Sequence, residues 1–323
     1  MTAEKLKTYL QNLPAGCVVT GHPAPDTDAV VSALFEAWRL TLSGIPAAPL
    51  LQGAIPREAA WLLGDLAPLV PVADAIDPTV PLVLTDHHDV AAYANPIRRV
   101  VDHHPLTADL SGMDAEVRPV GAATTLVALR LRREGITPDP TCARILMGAI
   151  LADTEGLSEY KAKAEDVDAV AWLYHLCDVM PSELGDAMRE QLLSEEDVDT
   201  LYRRDYRVYT HPDGTPYLGW AILKVWAEAC PDIEGVHRLL AQDTAAPTRV
   251  AKIVMYPRGD ERTRTELYLA AGERADALLT LVETAAGGDA TRLRDWLVYL
   301  PENCRHYGRK HYALRLAELF GEN

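Results

Sequence analysis

Short apolar runs alternate with longer amphipathic stretches through the first half of the chain. CVVTG (17–21), PLVLTD (81–86) and RRVVD (98–102) each carry a few apolar residues into polar ones, the mark of a buried strand. Between them the spacing changes to that of a helix. Ala29, Ala33, Ala37 and Leu40 recur at helical intervals, and Asp26 to Asp28 supply a cap and an acidic first turn. GAATTLVALRLRREG (121–135) and DPTCARILMGAILADT (139–154) read as two further helices. Such alternation predicts an α/β fold with a mostly parallel sheet flanked by helices. In these sheets ligands bind beyond the carboxyl ends of the strands. GHPAPDTD (21–28), TDHHD (85–89) and VDHHP (101–105) would all project there.

From residue 164 the pattern turns helical, through AEDVDAVAWLYHLCDVM and PSELGDAMREQLL. The polar stretch SEEDVDTLYRRD (194–205) then suits a hinge. Beyond it a smaller α+β unit is expected. YRVYTHPDGTPYLGWAIL (206–223) reads as a hairpin about Pro212-Asp213-Gly214, because Asp and Gly tolerate the dihedrals of a tight turn. TRVAKIVMY (248–256) and TRTELYLAA (263–271) read as a strand pair, GERADALLTLVETA as a helix, and Gly287-Gly288 as a loop. The division expected is a first domain at 1–193, a linker at 194–203 and a second domain at 204–323. A length of 323 residues suits two domains.

Composition narrows the partners. With 48% apolar and 24% charged residues the chain is an ordinary globular protein. A formal charge of −16 argues against a broad nucleic-acid or anionic-membrane surface, while leaving room for a small anionic substrate met by a few cations. Cys17, Cys142, Cys177, Cys230 and Cys304 are scattered with no Cys-x-x-Cys pair, as in a reduced, cytoplasmic protein. The start, MTAEKLKTYLQNLPAG, lacks the apolar centre of a signal peptide. The best apolar run, 142–152, is too short to span a membrane.

The chemistry gathers in four places. GHPAPDTD offers His22, Asp26 and Asp28; TDHHD offers Asp86 with His87 and His88; VDHHP offers Asp102, His103 and His104; ILADTEG offers Asp153. Carboxylates with imidazoles suit Mn²⁺, Mg²⁺, Fe or Zn, and the absence of Cys disfavours structural zinc. A bridging carboxylate can hold two divalent ions about 3.5–4 Å apart, lowering the pKa of a shared water and aiming hydroxide at phosphorus. Each stretch alone has a plainer reading. Asp-x-Asp before a helix is a cap, a His-His pair is a satisfied loop, and Asp153 opens a polar loop although a helix C-terminus prefers cations. Three successive strands ending in acid- and His-rich turns favour a shared site.

GHPAPDTDAV, TDHHD, VDHHP, GAATTLV and AILADTEGL, in this order, resemble the DHH phosphoesterase superfamily. Within it they are most similar to manganese-dependent family II inorganic pyrophosphatases and cytosolic exopolyphosphatases. The likeness covers roughly residues 17–180 and extends more weakly to YGRKH (307–311). It implies two Mn²⁺ ions, with Mg²⁺ or Co²⁺ as substitutes. His22 and Asp26 would bind the first ion and Asp28 the second. Asp86 would bridge them, and His103 and Asp153 would complete the second. His104 would face substrate phosphate as a catalytic donor, with Asp102 orienting an imidazole. Arg309, Lys310 and Arg207 would bind phosphate from the second domain, across an interdomain cleft. A homodimer through the first domain is also implied. Three positions depart from the family pattern: His88 replaces the usual Asn, Gly308 replaces Ser, and Arg207 replaces Lys.

These features predict a phosphoanhydride hydrolase acting on inorganic pyrophosphate through a hydroxide bridging two Mn or Mg ions. The same site could serve an exopolyphosphatase or a nucleotide phosphodiesterase, or a non-catalytic phosphate sensor. The Gly-Gly-Gly-His motif of oligonucleotide-cleaving relatives is missing, since GGDATR lacks the third Gly and the His. Thr124 and Thr125 lie near a helix N-terminus that suits either phosphate or packing. His87 and His88 either support Asp86 or face substrate.

Overall fold

The computed structural model describes all residues except 160, 194–196, 212, 259–262, 309–311, 313, 314 and 316–323. The chain divides into two compact units, Met1–Leu192 and Leu193–Asn323. In the first, α1 (Ala3–Gln11) leads to β1 (Cys17–Thr20), α2 (Thr27–Leu42), β2 (Ala47–Pro49), α3 (Arg57–Leu63), β3 (Leu82–Thr85), β4 (Ile97–Asp102) and β5 (Ala115–Val117). Helices α4 (Ala123–Arg133), α5 (Pro140–Asp153), α6 (Ala164–Cys177) and α7 (Pro181–Leu192) follow.

The five strands form one sheet in the order β2-β1-β3-β4-β5, and every pair is parallel. Alternation along the strands divides their side chains between two faces. Val19, Val83 and Val101 join the core under α2, α4 and α5, while Leu82, Leu84 and Val100 pack on the other side with Leu110. Helix α2 is buried at every residue from Thr27 to Leu40, as a helix apolar on most sides must be. Because β1, β3 and β4 are parallel neighbours, their carboxyl ends share one edge. The short strands β2 and β5 lack a long apolar run, and the sequence pattern did not mark them.

In the second unit α8 (Val198–Arg204) precedes β6 (Tyr206–Thr210), β7 (Pro216–Trp226), α9 (Ile233–Gln242), β8 (Thr248–Tyr256), β9 (Thr265–Gly272), α10 (Ala275–Ala286), β10 (Thr291–Arg294) and β11 (Leu297–Leu300). The sheet order is β10-β11-β9-β8-β7-β6. Strands β6 and β7 are antiparallel, as are β8 and β9. The turn expected between β6 and β7 closes with the His211 amide donating to the Thr215 carbonyl at 2.9 Å, and Gly214 takes a positive φ of 86°; Pro212 lies outside the described residues. Strands β7 and β8 are parallel, which requires a crossover, and α9 provides it. Of the expected linker, residues 194–196 lie outside the description, and Val198–Arg204 folds as α8, capped by Asp197. The five cysteines are free thiols, and no described helix is long and apolar enough to cross a membrane.

Candidate metal centre

Three adjacent strand ends and one helix end supply the donors. The turn after β1 carries His22, and Asp26 caps α2 by accepting the Ala29 amide at 3.0 Å. Asp86 follows β3 with a left-handed φ of 59°, unusual for a non-glycine residue and found where surrounding structure overrides local preference. Asp102 ends β4, and His103 and His104 follow it. Asp153 ends α5.

Asp86 is 1% exposed, and its two oxygens serve different neighbours. Oδ2 lies 3.5 Å from His22 Nε2, which is also 3.7 Å from Asp26 Oδ2. Oδ1 lies 3.0 Å from His103 Nε2, which in turn is 3.2 Å from Asp153 Oδ2 and 3.9 Å from Asp28 Oδ2. Two donor groups result, His22/Asp26/Asp86 and Asp28/His103/Asp153, each with ligand atoms within 4.8 Å of one another.

Both imidazoles are aimed by their far nitrogens. His103 Nδ1 lies 3.1 Å from the Val120 carbonyl and His22 Nδ1 lies 3.0 Å from the Pro23 carbonyl. A carbonyl only accepts, so each Nδ1 carries the proton and each Nε2 is left to point at the carboxylates. That is the arrangement metal-ligating histidines adopt. Asp28 is anchored differently. Its carboxylate accepts the Ala123 and Thr124 amides at 2.6 and 2.8 Å, so it caps α4 from 95 residues away. The helix N-terminus considered for phosphate is therefore occupied by Asp28. Thr125 packs inward, its hydroxyl donating to Asp166 Oδ1 at 2.5 Å.

The charge balance fits divalent cations. Burial, and then repulsion from Asp86 and Asp153, push the Asp28 carboxyl well above its ordinary pKa. Burial also raises Asp153, against the pull of Lys161 and His103. Burial opposes charge on His22 and His103, yet the neighbouring carboxylates outweigh it and lift them to about 11 and about 10. Burial likewise opposes charge on Asp86, but hydrogen bonds with His103 and His22 hold its carboxyl well below the usual range. Carboxylates crowded this closely must either take up protons or share cations. Oxygen and imidazole donors together suit Mn²⁺, Mg²⁺, Fe or Zn.

Asp102 is not available as such a donor. Its Oδ1 accepts from the His103 amide at 2.7 Å, the His104 amide at 3.2 Å and His104 Nδ1 at 2.8 Å, and its Oδ2 accepts from His88 Nδ1. His87 turns away as well, with Nδ1 at 3.0 Å from the Thr85 carbonyl and Nε2 at 3.1 Å from the Tyr93 hydroxyl.

No model of a known family matches the chain. A probable manganese-dependent inorganic pyrophosphatase of Deinococcus radiodurans is 32% identical over 220 residues, covering 63% of this chain and 68% of that protein. The chain belongs to the manganese-dependent inorganic pyrophosphatases. A second family member, from Methanothrix thermoacetophila, is 29% identical over 58% of this chain and 62% of its own length. A probable member from Clostridium acetobutylicum is 24% identical over 88% of this chain and 92% of its own. The fold agrees: a solved Methanococcus jannaschii protein assigned to family II inorganic pyrophosphatases superposes over 94% of this chain, with a TM-score of 0.71 at 19% identity.

The substrate cations expected in the second unit divide in two. Arg207 lies on β6, about half exposed, with Nε 3.9 Å from Asp205 Oδ1. Arg309 and Lys310 lie outside the described residues. Two contributors to the donor edge escaped sequence reasoning. Lys161 donates to the Asp153 carbonyl at 2.8 Å and sits 3.8 Å from its carboxylate, supplying the cation a helix C-terminus favours. Buried Asp166 accepts the Gly121 amide at 2.8 Å, and a Cβ on Gly121 would fall 2.8 Å from Asp166 Oδ2 and 2.5 Å from Thr154 Cγ2. The glycine opening GAATTLV was the available signal for that close approach.

Proposed function

We infer that this chain hydrolyses inorganic pyrophosphate to phosphate with two divalent cations, Mn²⁺ by preference. The observation that carries this reading is Asp86, one buried carboxylate turned toward two separate donor groups. His22 and Asp26 would hold one ion, Asp28, His103 and Asp153 the other, with Asp86 between them. When bound, the cations act as Lewis acids that activate water and draw off phosphoryl charge.

The rest falls to side chains. Asp28, fixed at the N-terminus of α4, and Asp153, held by Lys161, keep the second group in place without substrate. His104 donates Nδ1–H to Asp102, which leaves Nε2 to meet a phosphoryl oxygen, donating to it when the ring is the imidazolium. Burial opposes charge on Asp102, but hydrogen bonds from His104 and His88 hold its pKa near 2, so it stays an acceptor and keeps His104 oriented. The likeness of YGRKH to the family's substrate-binding turn supports Arg309 and Lys310 as ligands of the outer phosphate, and Arg207 stands where the family has a phosphate-binding Lys.

The test is phosphate release by the purified full chain with Mn²⁺ from pyrophosphate, tripolyphosphate, long polyphosphate and a dinucleotide. Pyrophosphate should be fastest, and Lys310→Ala should weaken its apparent affinity. No release from pyrophosphate or short polyphosphate sinks the proposal, and a clear preference for long chains would make the enzyme an exopolyphosphatase.

A further inference from the structure

We propose that His88 is a positioning residue for His104, acting through the shared Asp102 carboxylate; this rests on the reading of His104 as the imidazole that meets phosphate. His88 is 5% exposed, so it is a partner of other side chains rather than a surface group. Its tautomer follows from one contact. The Thr107 backbone amide donates to His88 Nε2 at 3.0 Å, with the Thr107 hydroxyl at the same distance. A backbone N–H can only donate. Nε2 therefore carries the lone pair, the proton sits on Nδ1, and Nδ1–H donates to Asp102 Oδ2.

Asp102 thus joins two imidazoles, His88 on Oδ2 and His104 on Oδ1. The terminal torsion of an Asp side chain is soft, so the amides on Oδ1 do not alone fix the carboxylate plane. His88 fixes it by holding the second oxygen, and the direction of Oδ1 then sets the ring of His104. His88 also grips the loop on both sides of His104, through Asp102 before it and Thr107 after it. Leu106 within that loop is 62% exposed, so it adds no anchor in the core. The second histidine after β3 is thereby a brace for the second histidine after β4.

The experiment compares His88→Leu, His88→Asn, His104→Ala and the His88→Leu/His104→Ala double variant in the Mn²⁺-loaded full chain. His88→Leu should lower kcat for pyrophosphate about ten- to a hundredfold, the range for partners that orient active-site ligands, while KM and Mn²⁺ affinity stay within about twofold. Asn places an amide N–H where Nδ1–H was and should restore most of the loss. Adding His88→Leu to His104→Ala should cost nothing further, since both act through one ring. In the Mg²⁺-loaded protein, the Nδ1-bound proton of His104 should be visible by nitrogen-edited NMR and lost in His88→Leu. If the leucine variant does not fold, His88→Gln, whose amide sits one methylene further out, takes its place. The proposal is overturned if His88→Leu keeps wild-type kcat while His104→Ala is crippled. It is equally overturned if the two losses multiply, if Asn is no better than leucine, or if Mn²⁺ affinity falls with kcat. A fully active His104→Ala would instead overturn the phosphate role of His104, and this link with it.

Discussion

Helix α2 carries buried charge near both ends, and the two clusters are built differently. At its N-terminal end Asp28 joins Asp86 and Asp153, with imidazoles as the main neighbours. Two turns further on, Glu36 is fully buried as well, but guanidinium meets carboxylate throughout. Arg39 grips Glu36 through Nε at 2.7 Å and Glu134 through Nη1 at 2.8 Å, Arg130 reaches Glu36 at 3.4 Å, and Arg99 pairs with Asp114 at 2.7 Å. The second cluster pairs each carboxylate with a guanidinium of the protein, although Arg99 Nε is left without a hydrogen bond and burial with the crowding of arginines pulls Arg130 down to about 10. The first is complete only with added protons or cations, which is why its carboxyls and imidazoles titrate abnormally. Buried charge by itself does not mark a functional site; carboxylates in excess of their cationic partners, aimed at a common point, do.

The largest expected effect is at the centre of the unbalanced cluster. Asp86→Asn should lower pyrophosphate turnover more than about a hundredfold and reduce Mn²⁺ stoichiometry, beyond the usual effect of a supporting partner. Turnover within tenfold of wild type, with metal content intact, would remove Asp86 from the centre. In the balanced cluster the same kind of change should act on folding. Glu36→Gln leaves Arg39 and Arg130 buried without their shared partner and should cost about 3–5 kcal/mol in urea unfolding, with kcat of the folded protein unchanged.

Metal should separate the clusters further. Mn²⁺ at a hundred times its dissociation constant should stabilise the native state by about 2.7 kcal/mol, and by the same increment in Glu36→Gln. Without metal, pH should do the opposite. His22 and His103 have folded pKa values of about 11 and about 10, above the unfolded value of about 6.5. The stability they add is present below about pH 6.5 and is lost as pH rises toward 10. Asp28, raised as well, acts in the same direction. The metal-free Tm should therefore fall between pH 6.5 and 10, and Mn²⁺, which displaces these protons, should flatten the decline. A metal-free Tm that rises over this interval contradicts the assignment. The smallest effect belongs to an exposed pair: Asp168→Ala, which breaks the 3.0 Å contact with Arg132, should shift stability by less than about 1 kcal/mol.

The donors themselves were readable because each stands where an element pattern breaks. A buried strand that stops in Asp-His-His, or an apolar helix that ends in Asp153, violates the local pattern, and violations of local rules concentrate at functional sites. Elements with strong periodicity, such as α2, α4 and α5, were equally plain. Short strands without an apolar run, β2, β5 and β10, were not, since so few residues carry no period; β11, Leu-Val-Tyr-Leu, does carry an apolar run but was not singled out. Helix α9 was not singled out, although Ile233, Val236 and Leu240 stand at helical spacing; the parallel pairing of β7 and β8 demands it as a crossover.

By itself the sequence determined the kinds of donor, their order along the chain, and an α/β frame that delivers strand ends to one edge. Local pattern could not tell the two Asp-His-His stretches apart, because identical letters have identical local propensities; the family resemblance separated Asp86, Asp102, His103 and His104, and His87 and His88 stayed open. Sheet order decided the partners. With β3 beside β4 and parallel to it, Asp86 faces His103 while His88 turns back to Asp102 and Thr107. Likewise Asp28 became the cap of α4 only when packing brought together residues 95 positions apart. Local pattern is set by neighbours in the chain; the division of labour among like side chains is set by neighbours in space.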